Sequence, residues 1–201
     1  MLSGQIATFN GELIPDLEAR VAQLTGRAQA LAVDSGSSAL RMAMRGLEIR
    51  AGQEVIIPEI GWVSVGAAAD MLGATVRVAP ATESLTPRGQ RSPRSSARTP
   101  RPSSWSISED APPGTAEIAH HLTERGIPLI EDCAQAWGVD VEGRPAGGWG
   151  TLATFSSMKL IATGEGGLVV GDDPAMMALM RAIAETPGRR PRARSGGPRP
   201  G

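Results

Sequence analysis

One lysine stands out among the side chains that could do chemistry. Lys159 is the only lysine in the 201-residue sequence, where every other Lys or Arg position is arginine. It follows the strand-like run LATFS and precedes the glycine-rich turn GEGG, with Ser156 three residues before it. A lysine amine, unlike a guanidinium, can lose its proton and form a Schiff base with a carbonyl group. Lys159 therefore predicts a site for a carbonyl compound.

Three further features would suit a Schiff-base cofactor of the pyridoxal phosphate type. SGSSAL (35–40) offers backbone N–H groups at a helix N-terminus for a phosphate, and Gly36 permits close approach. Asp132, after a strand, could favour the charged form of a pyridine nitrogen. Trp62 could lie flat against the ring. Each feature also has an ordinary structural interpretation, as a helix cap or as part of the core.

Other chemistry is less well supported. Ser156 and Lys159 also form a Ser-x-x-Lys pair, the nucleophile motif of penicillin-binding proteins, but the companion SDN and KTG motifs are absent from the sequence. We interpret His120 and His121 as residues of a helix surface and Cys133 as a small buried hydrophobe. A single cysteine excludes an intramolecular disulfide and a multi-cysteine metal site, and no metal is predicted.

Strand and helix signals alternate along the chain that must position these residues. The predicted strands are 30–34, 54–58, 74–79, 127–131, 152–156 and 166–172. The predicted helices are 15–26, with Leu17, Val21 and Leu24 on one face, 35–44, 62–73, 114–126, with Thr115 as N-cap, and 174–185. This alternation predicts an α/β fold with a mostly parallel sheet flanked by helices.

Ligands of such sheets bind at the carboxyl ends of the strands. Asp132, Ser156 and Lys159 each follow a predicted strand, so we expect their side chains to converge on one pocket. Trp62 should lie along the wall of that pocket.

Two arginine-rich segments interrupt this pattern. The insert at about 84–113 and the tail at 186–201 each contain five arginines, and removing these ten charges from the net charge of −1 leaves −11. Few aliphatic residues occur there, so we expect 86–108 and 188–201 to lack regular structure. Shifted reading frames and partner contacts are alternative interpretations. No aromatic side chains interleave for base stacking, so a nucleic-acid partner is not expected.

The order of four stretches resembles a known family. The stretches are SGSSAL (35–40), EVIIPEIGWVSVGAAADMLGATVRVA (54–79), IPLIEDCAQAWGVDVEGRPAGGWGTLATFS (127–156) and KLIATGEGGLVVGDD (159–173). In this order they resemble the DegT/DnrJ/StrS sugar aminotransferases, fold-type-I enzymes that depend on pyridoxal 5'-phosphate. The resemblance covers about residues 3–185 outside the insert, and EDxAQAxG together with KxxxxGEGG carries most of its specificity.

The resemblance implies a role for each candidate residue. Lys159 would hold the cofactor as a Schiff base and then transfer protons, and Asp132 would pair with the pyridine nitrogen. Five further residues would bind the cofactor: Gly36, Ser37 and Ser156 at its phosphate, and Trp62 and Gln135 at its ring. Ser37 replaces the threonine that is more usual in the family.

The resemblance also implies the organisation and activity of the protein. Residues 1–185 would form the large cofactor-binding domain, interrupted by the insert, and the family's small C-terminal domain would be missing. A homodimer would transfer an amino group from glutamate or glutamine to a keto sugar, in the first place a nucleotide-linked one, or to a cyclitol. Such reactions serve polysaccharide or secondary-metabolite biosynthesis. Without a leader or a long apolar run, we expect a cytoplasmic protein with no membrane partner. A non-catalytic relic that binds the cofactor is the alternative.

Overall fold

The computed structural model describes residues 13–79, 104–108, 114–159 and 164–185. Five helices occur in these ranges: α1 Leu13–Thr25, α2 Gly36–Gly46, α3 Val63–Asp70, α4 Thr115–Thr123 and α5 Pro174–Glu185. The strands of the same ranges are β1 Gln29–Val33, β2 Glu54–Pro58, β3 Thr75–Ala79, β4 Ser104–Ser108, β5 Leu129–Asp132, β6 Asp140–Val141, β7 Arg144–Pro145, β8 Leu152–Ser156 and β9 Gly167–Gly171.

Seven of these strands form one sheet in the order β1-β9-β8-β5-β4-β2-β3, while β6 and β7 form a separate hairpin. The pairs from β8 through β5, β4 and β2 to β3 are parallel, and β9 runs antiparallel to both β8 and β1. The sheet is therefore mostly parallel, as the alternation of strands and helices predicts.

The two faces of the sheet carry different layers. Successive strand residues point to opposite faces, and in β9 Val169 packs with α2, α3 and α5, whereas Leu168 and Val170 pack with α1 and the β6–β7 hairpin. The fully buried side chains of the first face include Met44 of α2 and Met180 of α5. Methionine and small aliphatic residues fill much of this core, which suits a sequence with few aromatic residues.

Side chains satisfy the outer edge of the sheet at β1. Glu18 of α1 accepts a hydrogen bond from the Ala32 N–H at 2.8 Å, and Arg181 of α5 donates to the Ala30 carbonyl oxygen at 3.1 Å. The two charged groups also pair with each other at 2.8 Å. Backbone groups at a sheet edge would otherwise be open to pairing with another chain, so this ion pair closes the edge.

The predicted face of α1 is wrong in part. Val21 is buried, but Leu17 and Leu24 are 44% and 52% exposed. The helix instead buries Glu18, Val21, Ala22 and Thr25. The reason is the edge contact just described: directing the Glu18 carboxylate at β1 turns the leucines outward.

Two further predictions need correction. Residues Ser104–Ser108, expected to lack regular structure, form β4 between β2 and β5. Composition misled here because a central strand is held by backbone hydrogen bonds, which serine supplies as well as valine. The N-cap of α4 is Gly114 rather than Thr115, which is buried as the first helical residue. The rest of 86–108, with 188–201, lies outside the described residues.

In the described part of the chain, no helix is long and apolar enough to cross a membrane.

Candidate active site

The first part of the candidate site is the start of α2, directly after β1. Ser35 adopts an extended conformation as the N-cap, and its Oγ accepts a hydrogen bond from the Ser38 N–H at 3.2 Å. The Gly36 and Ser37 N–H groups precede the first hydrogen bond within the helix. A helix N-terminus of this kind attracts anions, and Ser37 lies there as an exposed residue.

Ser156, the last residue of β8, lies against this helix start. A Cβ atom added to Gly36 would be only 2.9 Å from the Cβ of Ser156. A Cβ added to Gly167 would lie 2.3 Å from the Ser35 carbonyl oxygen, so the β8–β9 pair and the Ser35–Gly36 turn are in tight contact. Only glycine fits at both positions. Ser156 is 7% exposed.

Asp132 ends the neighbouring strand β5 and is 6% exposed. Its Oδ1 accepts a hydrogen bond from the Ala134 N–H at 3.1 Å, which orients the carboxylate at the strand end. In the β5–β8 register Asp132 lies opposite Thr154, two residues before Ser156. Gln135 follows in the same turn and is half-buried. Asp132 and Gln135, two of the three residues predicted to lie at the cofactor ring, thus both lie at the carboxyl end of β5.

Lys159 lies half-buried in the segment after β8, with its Nζ 4.8 Å from the centre of the Trp62 ring. An ammonium group over an indole face is favoured by the ring quadrupole. Ser157 closes this segment, since its N–H donates to the Gly166 carbonyl oxygen at 3.1 Å and its Oγ donates to that of Gly164 at 2.9 Å. Residues 160–163 lie outside the described part.

Contacts in the structure join two pairs of candidate residues: Gly36 touches Ser156, and Lys159 faces Trp62. Asp132 lies opposite Thr154, two residues before Ser156 in β8. A cavity of about 450 Å³ lies beside Trp62 and another of about 400 Å³ beside Ser38. Neither is lined by Asp132, Ser156 or Lys159, so their convergence on one pocket stays a prediction.

Glu131, the residue before Asp132, has a structural role that the sequence did not reveal. Its buried carboxylate accepts hydrogen bonds from the N–H groups of Gly147 at 3.1 Å, Trp149 at 2.7 Å and Gly150. Burial raises the pKa of Glu131, opposed by these hydrogen bonds and by Arg27. Glu131 fixes the loop after the β6–β7 hairpin beneath the strand end that carries Asp132. Its position before Asp132 was the only signal.

Three titratable residues lie apart from these contacts. His120 is exposed and pairs with Glu124 on the same helix at 3.3 Å, and His121 receives a contact from Arg125 at 3.0 Å. Cys133 is buried, and burial together with the neighbouring Glu131 and Asp132 carboxylates raises its pKa well above the usual thiol value. A thiol held neutral in this way is unreactive.

A mostly parallel α/β sheet with a helix N-terminus, a buried carboxylate and a lysine near its strand ends is an arrangement typical of cofactor-binding proteins. The model of the DegT/DnrJ/EryC1/StrS aminotransferase family matches residues 1–87 and 115–195. The chain belongs to this family, as the motif order indicated. The match is interrupted between 87 and 115, where the arginine-rich insert lies.

Several known proteins are similar to this chain in sequence and in fold. A UDP-N-acetyl-3-dehydro-alpha-D-glucosamine 3-aminotransferase of Acidithiobacillus ferrooxidans is 35% identical over 90% of this chain and 53% of its own length. DesV of S. venezuelae, solved in complex with a ketimine intermediate, is 26% identical, with a TM-score of 0.73, over 92% of this chain and 51% of that one.

A third similar structure is a GDP-4-keto-6-deoxymannose-3-dehydratase with a trapped PLP-glutamate geminal diamine. It is 26% identical, with a TM-score of 0.72, over 86% of this chain and 47% of that one. This architecture is that of the fold-type-I aminotransferases, which confirms the predicted fold. The chain spans about half the length of the relatives it matches.

Proposed function

We propose that this chain is the cofactor-binding part of a pyridoxal-phosphate-dependent aminotransferase. Its amino acceptor would be a keto sugar, in the first place a nucleotide-linked one, or a cyclitol. Support for the sugar comes from the relative that is a UDP-N-acetyl-3-dehydro-alpha-D-glucosamine 3-aminotransferase. Support for glutamate as donor comes from the similar dehydratase, which was trapped with PLP and glutamate. Glutamine is the alternative donor.

The described residues fit pyridoxal 5'-phosphate. Gly36, Ser37 and Ser156 together provide N–H and hydroxyl donors at a positive helix end, which suits a phosphate dianion. Their packing is tight, since Gly36 has no room for a Cβ atom. Asp132 is a buried carboxylate at the end of β5, and the Ala134 N–H orients it. A carboxylate in this position would suit a protonated pyridine nitrogen, because a nearby negative charge favours the charged form of the ring.

Each remaining residue has a role in this proposal. When bound, the cofactor supplies an electron-withdrawing ring that stabilises negative charge on the carbon that loses a proton. Asp132 would hold a proton on the ring nitrogen and so preserve that withdrawal. Lys159 would bind the cofactor covalently through its amine and then carry the proton at the reacting carbon. Trp62 would stack on the ring, and Gln135 would contact its 3'-oxygen.

The wider organisation is part of the same proposal. Residues 1–185 would be the large domain, interrupted by the insert at about 84–113, with 186–201 as a tail. Active enzyme would be a homodimer serving nucleotide-sugar, polysaccharide or secondary-metabolite biosynthesis. A cytoplasmic location, with neither nucleic acid nor membrane as partner, also stays a prediction.

The observation that carries the proposal is the position of Lys159: it faces Trp62 in the segment leaving β8, whose end touches the α2 anion site. The test is to add pyridoxal phosphate, reduce with borohydride and map the adduct by peptide mass spectrometry. We expect a single adduct on Lys159, preceded by visible absorbance. Lys159→Arg keeps the positive charge but cannot form an imine, so it should lose both signals.

A second lysine supplies the control. Arg20→Lys places an exposed amine on α1, at a position where the native Arg20 pairs with Asp16 on the surface. At one equivalent of cofactor this lysine should remain unlabelled while Lys159 reacts. Labelling of both lysines to the same extent, or labelling of the N-terminal amine alone, would contradict the proposal.

A further inference from the structure

An indole group holds the carboxyl end of β8. The parallel pairing of β8 with β5 reaches Thr154, opposite Asp132, and the Thr154 carbonyl oxygen accepts one more hydrogen bond from the Cys133 N–H at 2.8 Å. Along one edge of a strand such carbonyl groups recur at every second residue. The next is that of Ser156, and it accepts a hydrogen bond from the Trp137 Nε1–H at 2.7 Å.

The Trp137 side chain thus supplies the hydrogen bond that the backbone of β5 would supply if this strand continued past Asp132. Its ring packs on Phe155 of β8, with ring centres 4.6 Å apart and planes at 45°. The turn between Asp132 and Trp137 is closed by a hydrogen bond from the Ala136 N–H to the Cys133 carbonyl oxygen at 3.1 Å. The indole is therefore held by its contact with Phe155 and by the closed turn that carries it.

The position of Ser156 leaves little tolerance. Its Cβ lies where a side chain on Gly36 would collide, so the serine hydroxyl and the α2 anion site are set by one close contact. The segment with Lys159 begins at the next residue. A small displacement of the Ser156 backbone would move the hydroxyl away from the helix end and shift the start of the lysine segment.

We propose that the Trp137 indole N–H is a positioning group for the cofactor site. It extends the β5–β8 ladder by one hydrogen bond and thereby holds both Ser156 and the segment that carries Lys159. The inference rests on the proposed function, in which Ser156 binds the phosphate and Lys159 the aldehyde carbon. Trp137 acts through the Ser156 backbone and is not itself a catalytic residue.

Two matched variants of the full chain test the proposal. Trp137→Phe removes the N–H donor and keeps a ring against Phe155. Trp149→Phe is the control, because the Trp149 Nε1–H also donates to a backbone carbonyl, that of Val141 at 2.9 Å, but in the β6–β7 hairpin. Trp137→His, which keeps a ring N–H, serves as the rescue variant and carries the test if the phenylalanine variant does not fold.

The two readouts are amide hydrogen exchange of cofactor-free protein and titration with pyridoxal phosphate. Trp137→Phe should speed exchange in the segment from Phe155 to Lys159 and weaken cofactor binding about tenfold, the effect of losing one hydrogen bond to a buried carbonyl. Trp149→Phe should change neither. Trp137→His should recover part of both.

The outcomes separate this inference from the proposed function. Unchanged exchange at 155–159 in Trp137→Phe would overturn the inference, and so would faster exchange with wild-type cofactor affinity. Faster exchange in a protein whose wild type binds no pyridoxal phosphate would overturn the proposed function, while supporting the hydrogen bond's role in holding the end of β8.

Discussion

At the scale of single residues, the absence of a side chain is as informative as its presence. Gly167 of β9 lies against the Ser35 carbonyl group, and Gly36 lies against Ser156, so two glycines bring three segments to one point. Ser37 and Ser156, on which an anion site would depend, lie close to each other because no side chain separates the backbone of α2 from that of β8. This closeness can be tested by adding one methyl group.

Gly167→Ala should destabilise the protein by about 1–3 kcal/mol, since the new Cβ would lie 2.3 Å from a backbone oxygen that cannot rotate away. Gly66→Ala is the matched control. A Cβ at Gly66 would be 3.3 Å from the flexible end of Ile57, and alanine is favoured over glycine within a helix by up to about 1 kcal/mol. Chemical denaturation measures both. Equal losses in the two variants would contradict the close-packing argument.

Residue-scale prediction from sequence succeeded where a residue's environment is set by its own strand. Asp132 and Ser156 were placed at strand ends by hydrophobic runs, and the structure ends β5 and β8 at these residues. Glu131 and Trp137 were missed because their partners are backbone groups 16 to 19 residues away. Such contacts depend on how loops fold back, which no local pattern encodes.

At the scale of elements, the hairpin turn stabilises a helix that has no cap of its own. Gly114 precedes α4 without a side chain, and Glu142, from the β6–β7 turn, accepts hydrogen bonds from the Gly114 N–H at 3.0 Å and the Ala116 N–H at 2.9 Å. These bonds lower the pKa of Glu142. The carboxylate also complements the positive end of the helix dipole.

Glu142→Gln should therefore show a defined pH dependence. Because the folded pKa is lowered, the carboxylate stabilises the protein above the ordinary glutamate pKa, and that contribution is lost as pH falls through the lowered value. The difference in unfolding free energy between wild type and variant should be present at neutral pH and shrink in acid. Urea denaturation across this pH range is the measurement.

Glu131→Gln is the control with the opposite sign. Its folded pKa is raised by burial, so the folded state holds the proton more tightly and the wild type is favoured most below the ordinary glutamate pKa. The advantage of wild type over this variant should fall as pH rises through the raised value. Parallel pH profiles for the two variants would show that the hairpin carboxylate does not cap α4.

Prediction of elements was accurate where apolar periodicity was strong. β2, β8 and α5 begin and end where the sequence placed them. β4 was missed because serine and arginine dominate its surroundings, and the two-residue strands of the hairpin are too short for a periodic signal. The cap of α4 was misassigned because the group that accepts hydrogen bonds from the start of this helix, Glu142, comes from the β6–β7 turn.

At the scale of the whole molecule, the outward leucines of α1 set the expected behaviour in solution. Leu13, Leu17 and Leu24 expose about half of their surface. Apolar surface of this kind favours association. We predict that the protein self-associates, as a weak dimer or as larger species, and that light scattering will detect it.

Leu17→Gln should reduce this association without loss of stability, because the side chain contributes little to the core. Met71→Gln is the control, since Met71 is an even more exposed apolar residue, at 68%, but it caps the C-terminus of α3 in the layer across the sheet. It should leave the scattering unchanged. A monodisperse monomer for the wild type, or equal effects from both variants, would contradict the prediction.

The closed edge at β1 has a consequence for the order of events during synthesis. Among the described strands β1 is paired with β9 alone, and the Gln29–Gly171 pair at the start of β1 spans most of the chain. The Ala30 carbonyl group at the outer edge of β1 gains its partner even later, since Arg181 lies 151 residues further along the chain. At about 5–20 residues per second on the ribosome, the first residues of this strand stay without their native partner for on the order of ten seconds. A nascent chain thus carries one of its most apolar strands unprotected until almost all of the described sheet has been made, and chaperones have that interval in which to bind it.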